Sequence, residues 1–389
     1  MKRLTFLSAV IIAVVLAGAF VQSTFTNPSG LTSGFMPGTP DIQSMSVLTF
    51  GPDGVLFIGD SKGGAVFAID LNDQARSNNA EPPKISDIEG EIASLLGTTV
   101  NQVLIHDMAV NPISQNIYLA VSRGRSQWNS KWQLPNDLDD ARILLRITPE
   151  GDIDEASLQS VKYAKASLPN PVDESKEHRW KKGLSLRVDT ITDIAYSDGK
   201  VFVAGLSNEE FASTMWQIPF PFKDHISATT IEIFHGAHGK YETHAPIRTF
   251  LPYDFDNQLH LLAAYLCTPL VTLPVADLKN GQHLKGRTVA EFGSGNYPLD
   301  MILYKKGEDD FILIANSNLP FMIVDPKDVE SYDGSITEEV EGYLAGVKYE
   351  PRAGTGIQQL DNFNSEYVLA LRRLPGGTMD LEPFSIQRF

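Results

Sequence analysis

A phrase of short apolar runs separated by tight turns recurs six times along this chain of 389 residues. Its clearest copy begins at Val47, turns at 51–54 through Gly-Pro-Asp-Gly, and continues through 55–58 and 65–69. Runs rich in Val, Ile, Leu and Phe that are bounded by Gly, Pro, Asn and Asp are typical of β-strands. The six copies are spaced by 60, 86, 54, 53 and 57 residues, and they begin at Val47, Asp107, Asp193, Ile247, Asp300 and Ile357.

A long-period repeat of short strands predicts an all-β propeller, because each unit is a sheet that buries its faces only when its neighbours stack on it. Six copies predict six blades in a single domain over 45–389. The wide spacing of 86 residues leaves a seventh blade open, but the polar and charged stretch at 167–186 favours an insertion. Helical spacing of apolar residues at 88–96 predicts a short helix.

The N-terminus has the pattern of an export signal. Lys2 and Arg3 precede a largely apolar stretch at 4–20, and small residues follow at 21 and 23. We expect residues 1–23 to be a cleaved signal peptide and residues 24–44 to be an N-terminal extension of the propeller. An uncleaved membrane anchor is the alternative, since a stretch of this length is at the lower limit for crossing a bilayer.

Cysteine and charge usage agree with a periplasmic or secreted protein. The single cysteine, Cys267, excludes an internal disulfide and an N-terminal lipid anchor on cysteine. The net charge of −16 excludes nucleic acid and anionic lipid as partners. Loss of Lys2 and Arg3 with the signal makes the charge of the mature chain more negative still. We expect a monomer that does not associate with membranes beyond the signal segment.

The phrase Asp107-Met108-Ala109-Val110-Asn111-Pro112 and its shorter copy Asp193-Ile194-Ala195-Tyr196 resemble the blade start of NHL and SMP-30/YncE-type propellers. The resemblance covers the mature chain as architecture and implies a fold rather than a reaction. Because aspartate takes the same place in three blades, at 107, 193 and 300, we interpret it as a structural residue. It would tie the strand start to a neighbouring turn.

Two sets of loops should share one face of the ring: those that enter the inner strands, and those that join the second strand of each blade to the third. Loops on that face converge on the central funnel, where a ligand is best enclosed. They mix cations, carboxylates and imidazoles, which suits a small anionic ligand or a periplasmic protein partner. The candidate binding residues are His106, Arg123, Arg187, Asn208, Glu209, His244, Tyr265, Asn296, Asn316 and Arg372.

The segment 234–244 is the densest cluster of potential metal ligands, because it carries three of the eight histidines. Two glycines let its backbone turn, so His235 and His238 could converge, with His244 as a further candidate. Cys267, from a loop of the following blade, could add a soft ligand suited to zinc or copper. A histidine-bearing surface loop and a small buried cysteine are the alternative interpretation.

The resemblance to SMP-30-like lactonases implies a second kind of metal site, since those enzymes hold a divalent ion in the funnel with Glu and Asn or Asp ligands. Residues of the matching kinds and loops are Asp60, Asn208, Glu209, Asn296 and Asn316. Calcium would suit such oxygen ligands. A solvated acidic turn at 208–210 is the alternative.

Two classes of function therefore stay open. One is a binding propeller that holds a small anion or a partner protein at its funnel. The other is a metal-dependent enzyme, such as a lactonase-like hydrolase, or a redox or metal-binding propeller. We assign no catalytic residue, because the sequence has no Gly-x-Ser-x-Gly, His-Glu-x-x-His or Cys-x-x-Cys-His motif.

Overall fold

The computed structural model describes residues 30–77, 81–124, 142–178, 183–223, 225–342 and 344–389. In these residues the strands form six sheets that are arranged as a six-bladed all-β propeller, which confirms the fold predicted from the repeat. The predicted signal peptide at 1–23 lies outside the described residues. No helix of the described ranges is both long and apolar enough to cross a membrane.

The chain begins blade 1, leaves it to build blade 2, and then returns. Before the departure it forms β1 (Met36–Gly38), β2 (Val47–Phe50), β3 (Leu56–Asp60) and β4 (Ala65–Asp70). The next elements are helix α1 (Ile88–Leu95) and the blade 2 strands β5 (Val103–Val110), β6 (Ile117–Arg123), β7 (Arg142–Ile147) and β8 (Ile153–Glu155). Only then does β9 (Val161–Ser167) pair with β4, and β1 pairs with the outer side of β9.

Blades 3 to 6 follow one another along the chain. Blade 3 contains β10 (Asp193–Ser197), β11 (Lys200–Leu206), β12 (Ser213–Pro219), β13 (Ser227–His235) and β14 (Lys240–Glu242). Blade 4 contains β15 (Ile247–Phe255), β16 (Gln258–Tyr265), β17 (Pro269–Pro274) and β19 (Arg287–Glu291), while β18 (His283–Lys285) pairs back with β13. Blade 5 contains β20 (Pro298–Lys306), β21 (Asp309–Asn316), β22 (Phe321–Val324) and β24 (Glu350–Arg352). Helix α2 (Pro326–Ser331) and β23 (Ala345–Gly346) lie between β22 and β24 in the chain, and β23 pairs with β19 at the outer edge of blade 4. Blade 6 contains β25 (Ile357–Asn362), β26 (Tyr367–Arg373) and β27 (Met379–Ser385).

The order of the blades around the ring differs from their order along the chain. Inner strand β2 packs against β5 on one side and against β10 on the other, and β25 packs against β5. The ring therefore runs through blades 2, 1, 3, 4, 5 and 6. The long interval between Asp107 and Asp193 contains β9 and a segment at 168–186, and it holds no seventh blade in the described residues.

Six hydrophobic clusters fill the interfaces between neighbouring blades. Adjacent residues of one strand serve opposite interfaces: Phe57 packs between blades 1 and 3, whereas Ile58 packs between blades 1 and 2. Both faces of each blade are buried in this way, which explains why the strands are continuous apolar runs instead of alternating ones. The cluster membership independently supports the ring order.

The ring closes between blades 6 and 2 through residues from the N-terminal half of the chain. Ile85 and Leu381 exchange two backbone hydrogen bonds at the outer edge of blade 6. Helix α1 packs against both β27 and β5. Blade 6 has only three strands of its own in the described residues. The segment around Ile85 pairs with β27 in the position that a fourth strand would occupy.

Four aspartates of the inner strands bind neighbouring blades together. Asp107, Asp193, Asp300 and Asp361 each accept one hydrogen bond from the next backbone N–H of their own strand. The second carboxylate oxygen accepts from a backbone N–H on the inner strand of an adjacent blade, at 2.6–2.7 Å. The aspartates are therefore structural, as the repeat suggests, although their partner is the neighbouring strand and not a turn.

Candidate metal site

The histidine segment and Cys267 lie on the same edge of the ring. The strands within each blade are antiparallel, so the edge where β15 begins, at Ile247, is also the edge where β16 ends, at Tyr265. His235 ends β13, and His238 lies in the 3-10 turn that follows. Cys267 lies in the loop between β16 and β17. This is the funnel face, and the site joins blade 3 to blade 4.

The side chains of His235, His238 and Cys267 converge. One ligand atom from each lies within 4.8 Å of the other two, and no other such group of three His, Cys, Asp or Glu side chains occurs in the described ranges. The imidazole rings of the two histidines have centroids 3.8 Å apart. The convergence predicted from the sequence is thus present, and the segment's glycines allow it because Gly239, at φ 60°, turns the backbone directly after His238.

Glu242 contacts the Nδ1 nitrogen of both histidines. Its two oxygens lie 3.0 Å from Nδ1 of His235 and 2.8 Å from Nδ1 of His238. This leaves Nε2 of each ring as the nitrogen that can bind a metal. A carboxylate that accepts from the second nitrogen of a ligating histidine fixes the ring and its tautomer, and this arrangement is common around protein metal ions.

The pKa values of Glu242 and His235 are shifted in opposite directions. Burial disfavours ionisation of Glu242, but its hydrogen bonds with His235 and His238 outweigh burial and lower its pKa to about 2. Burial also disfavours protonation of His235, yet its interactions with Cys267 and Glu242 raise its pKa to about 9. His235 is 2% exposed, and its Nε2 has no hydrogen-bond partner of good geometry.

Cys267 is presented on a sharply turned loop. Both Cys267 and Thr268 have positive φ, at 63° and 67°, which is uncommon for residues other than glycine. The backbone N–H of Cys267 donates to the carbonyl of Asn296 over 2.8 Å. The adjacent His235, together with donors from Gly295 and Ser294, lowers the pKa of the thiol.

Glu291 adds a second buried carboxylate beside the histidine turn. One of its oxygens accepts from the backbone N–H of Gly236 over 2.6 Å, and the other has no partner. The residue is 2% exposed, and burial raises its pKa. A buried carboxylate oxygen without a donor is costly, so a cation placed nearby would be favourable.

The remaining predicted metal ligand, His244, lies outside this group. It is exposed, and its Nδ1 is 2.8 Å from the hydroxyl oxygen of Thr243. The two carboxylates of the oxygen-ligand alternative make hydrogen bonds within the protein. The carboxylate of Asp60 accepts from the backbone of Gln43, Ser44 and Gly63, and Glu209 accepts from Asn170.

Two of the candidate arginines, Arg187 and Arg372, bind the protein's own backbone and side chains. Arg187 donates to the carbonyl oxygens of Ser61, Lys62 and Val172. Arg372 donates to the carbonyl of Thr355 and to Glu382. The segment at 168–186 explains the first case, because it brings Val172 over the loop between β3 and β4.

Of the other candidate binding residues, His106 lies within strand β5 and not in the loop before it, because β5 begins at Val103, whereas Arg123 ends β6. Arg123 donates to the carbonyl of Leu96, and Nε2 of His106 is 2.6 Å from the hydroxyl of Ser122. Burial lowers the pKa of His106 to about 4. Three further candidates lie in loops or at strand ends. Asn208 is exposed, whereas Tyr265 and Asn316 are buried. The hydroxyl of Tyr265 and the side-chain amide nitrogen of Asn316 have no hydrogen-bond partner among the described residues. Asn296 contacts Cys267 through its backbone.

The two carboxylates that complete the site, Glu242 and Glu291, are not among the residues singled out from the sequence. Glu242 lies in the same short segment as the histidines, so its spacing could have indicated it. Glu291 lies at the end of the outer strand of blade 4, and nothing in its local sequence indicates that it reaches the histidine turn of blade 3.

Neither a model of a known protein family nor a curated protein matches the chain. Among solved structures, it is similar to a Thermus thermophilus protein assigned as an oxidoreductase (glucose dehydrogenase), at 9% identity, covering 90% of this chain and 100% of that one, with a TM-score of 0.37. The propeller architecture is thus established by the sheet topology itself. No family match supports the narrower resemblance to NHL or SMP-30/YncE propellers.

Proposed function

We propose that this chain is a metal-binding propeller that holds one zinc or copper ion through His235, His238 and Cys267 on its funnel face. The observation that carries the proposal is the convergence of these three side chains around a carboxylate, Glu242, that binds the far nitrogen of both imidazoles. Two imidazoles and one thiolate suit zinc or copper, whereas calcium takes six to eight oxygen ligands.

The charge around the site favours a cation. Glu242 and Glu291 flank the histidines, and the side chain of Glu339 lies against Gly239, next to His238. Lys240 is the cation of this segment, 3.7 Å from Glu242. When a divalent metal displaces the proton of His235, the site presents it with a thiolate, two neutral imidazoles and these carboxylates, which together stabilise a cation. Metal binding is for this reason preferred here over the anion-binding function, whose arginines 187 and 372 contact the protein itself.

Three protein ligands leave one position of a four-coordinate ion for water or another exogenous ligand. This fits an ion that takes part in chemistry as well as one that holds blades 3 and 4 together. We retain the predicted export as part of the proposal, since a periplasmic or secreted chain would meet its metal outside the cytoplasm.

The test is metal content and affinity. The protein, purified and then equilibrated with Zn²⁺, should hold one ion per chain, and competition with a chromogenic chelator gives its affinity. His238→Ala and Cys267→Ser should each weaken binding by more than tenfold. His244→Ala is the matched control, because it removes a histidine from the same segment outside the group, and it should bind as the wild type does. Equal affinity in all four proteins, or no bound zinc or copper in the wild type, would refute the proposed function.

A further inference from the structure

We propose that Cys267 is also a site of oxidative modification, and that a peroxide reaching its sulfur releases the metal. This inference rests on the proposed metal site and adds its regulation. Its basis is the partial exposure of Cys267, together with its being the single sulfur among the three ligands.

Cys267 is partly exposed, as His238 is more fully, and it is the one sulfur among the three ligands. His235 is 2% exposed, whereas Cys267 is only half-buried. The donors that lie over its sulfur belong to Ser294 and Gly295, and both of these residues are exposed. Cys267 is the middle residue of the three-residue loop between β16 and β17. A molecule as small as hydrogen peroxide therefore needs no opening of the propeller to approach it.

The unpartnered nitrogen of His235 shows that the thiol belongs to a built site. Nε2 of this buried ring has no hydrogen-bond partner of good geometry, and a ring nitrogen of His235 lies within 4.8 Å of the Cys267 sulfur. The sulfur would thus be kept in the metal-bound thiolate form. A thiolate, and not a thiol, is the form that peroxide oxidises.

The reaction is a two-electron oxidation of sulfur. A sulfur lone pair attacks one oxygen of H–O–O–H, so that the S–O bond forms as the O–O bond breaks. The products are the sulfenic acid Cys–S–OH and one hydroxide ion, which carries away the electron pair of the broken bond. A negatively charged ligand thereby becomes a neutral one, and two imidazoles alone must hold the ion.

The modification can be reversed by an external thiol. The sequence has one cysteine, so the sulfenic acid finds no second thiol of this chain with which to close a disulfide. One low-molecular-weight thiol would displace the sulfenic oxygen as water and form a mixed disulfide with Cys267. A second would attack this disulfide, releasing the Cys267 thiol and a low-molecular-weight disulfide. Zinc would rebind after this reduction.

The experiment follows zinc and sulfur together in the zinc-loaded protein. Hydrogen peroxide is added in the presence of a chromogenic chelator, and samples are trapped with dimedone for peptide mapping at Cys267. We expect close to one zinc per chain to be released at the rate at which the Cys267 adduct appears, and to be taken up again after treatment with a thiol. Zinc retained by protein whose Cys267 is fully oxidised would overturn the inference, as would a sulfur that peroxide does not oxidise.

Two variants separate this inference from the metal site itself. Cys267→Asp keeps an anionic ligand without sulfur, and Cys267→His keeps a neutral one. Whichever of them holds zinc should keep it in peroxide, and release at the wild-type rate would overturn the inference while leaving the proposed function intact. A wild type that holds no zinc before peroxide is added would refute both.

Discussion

Arg373 and Glu89, which are 284 residues apart in the chain, make two parallel hydrogen bonds of 2.8 and 2.9 Å across the joint that closes the ring. Glu89 belongs to helix α1 and is 5% exposed, whereas Arg373 ends β26. The bidentate geometry is the strongest form of an arginine–carboxylate contact. It fixes the helix to blade 6 beside the Ile85–Leu381 bridge.

Removal of this arginine should loosen the closure. Arg373→Ala leaves the buried carboxylate of Glu89 without its partner, and we expect the free energy of unfolding to fall by about 2 kcal/mol. Urea denaturation measures the change. Lys327→Ala, which breaks the exposed contact with Asp309, is the control and should cost much less, because an exposed ion pair adds little to stability. Equal losses in the two variants would contradict this role of the closure.

Metal should stabilise the propeller, because its ligands come from two blades. An ion that binds only the folded chain adds about 2.7 kcal/mol when its free concentration is a hundred times its dissociation constant. We therefore expect Zn²⁺ to raise the melting temperature of the wild type and of His244→Ala by several degrees. In His238→Ala the shift should disappear, and a shift that persists there would point to zinc bound elsewhere.

Glu242 should act on the metal through the histidines that it orients. Glu242→Gln keeps the size of the side chain but removes the charge and one acceptor, so the two imidazoles are held less firmly. Losses of this kind usually weaken metal affinity by about 10- to 100-fold. Chelator competition measures the change, with Glu210→Gln as an exposed glutamate control. Unchanged affinity would mean that the histidines need no such support.

The four inner-strand aspartates should make stability depend on pH. Burial, with repulsion from Asp300, raises the pKa of Asp107 well above its ordinary value and that of Asp193 and of Asp361 to about 7. Burial raises the pKa of Asp300 to about 6. The folded chain thus binds these protons more tightly than the unfolded chain does. Their contribution to stability is present below about pH 4 and is lost as pH rises through 6 to 7.

Urea midpoints of the wild type should therefore fall between pH 5 and pH 8. Asp361→Asn removes one titrating carboxylate, so the difference between wild type and variant should change over the same interval. The variant loses an acceptor for a backbone N–H and should be less stable at low pH, with a flatter profile. Parallel profiles would show that Asp361 does not titrate in this range.

Export of the chain remains a prediction from residues 1–23. Cleavage should leave a mature N-terminus near Thr24, which intact-mass measurement on periplasmic or secreted material would detect. A protein that keeps Met1 and fractionates with membranes would instead support the uncleaved anchor.

The strands were predictable from the sequence, but their arrangement around the ring was not. Val47, Asp193, Ile247 and Ile357 begin inner strands, as the repeat predicts. Asp107 and Asp300 lie within longer strands, each just after a register shift. A continuous apolar run identifies a buried strand, because apolar residues of the adjacent blades cover both of its faces. The run does not tell which blade lies on either side, since every blade offers a similar apolar surface. The exchange of blades 1 and 2 depends on β9, whose partner is decided by contacts far apart in the chain.

The two histidine ligands were predictable because they lie in one short segment, whereas the carboxylate Glu291 beside them was not. His235 and His238 are close in sequence, and a turn with glycines can bring them together. Glu291 depends on the packing of two blades, which no short pattern reports. Arg187 was a reasonable candidate for an anion, but the fold places carbonyl oxygens around it.

The late arrival of β9 has a consequence for how the protein is made. A ribosome releases residues 47–70 long before it releases residues 161–167. Strands β2, β3 and β4 of blade 1 therefore lack their partner β9 while all of blade 2 is synthesised. The exposed edge of β4 during this interval is a surface on which another strand could pair wrongly. Synthesis that slows between these two segments would lengthen that exposure, and the yield of correctly folded protein should therefore depend on codon choice at 71–160 more than at any later stretch.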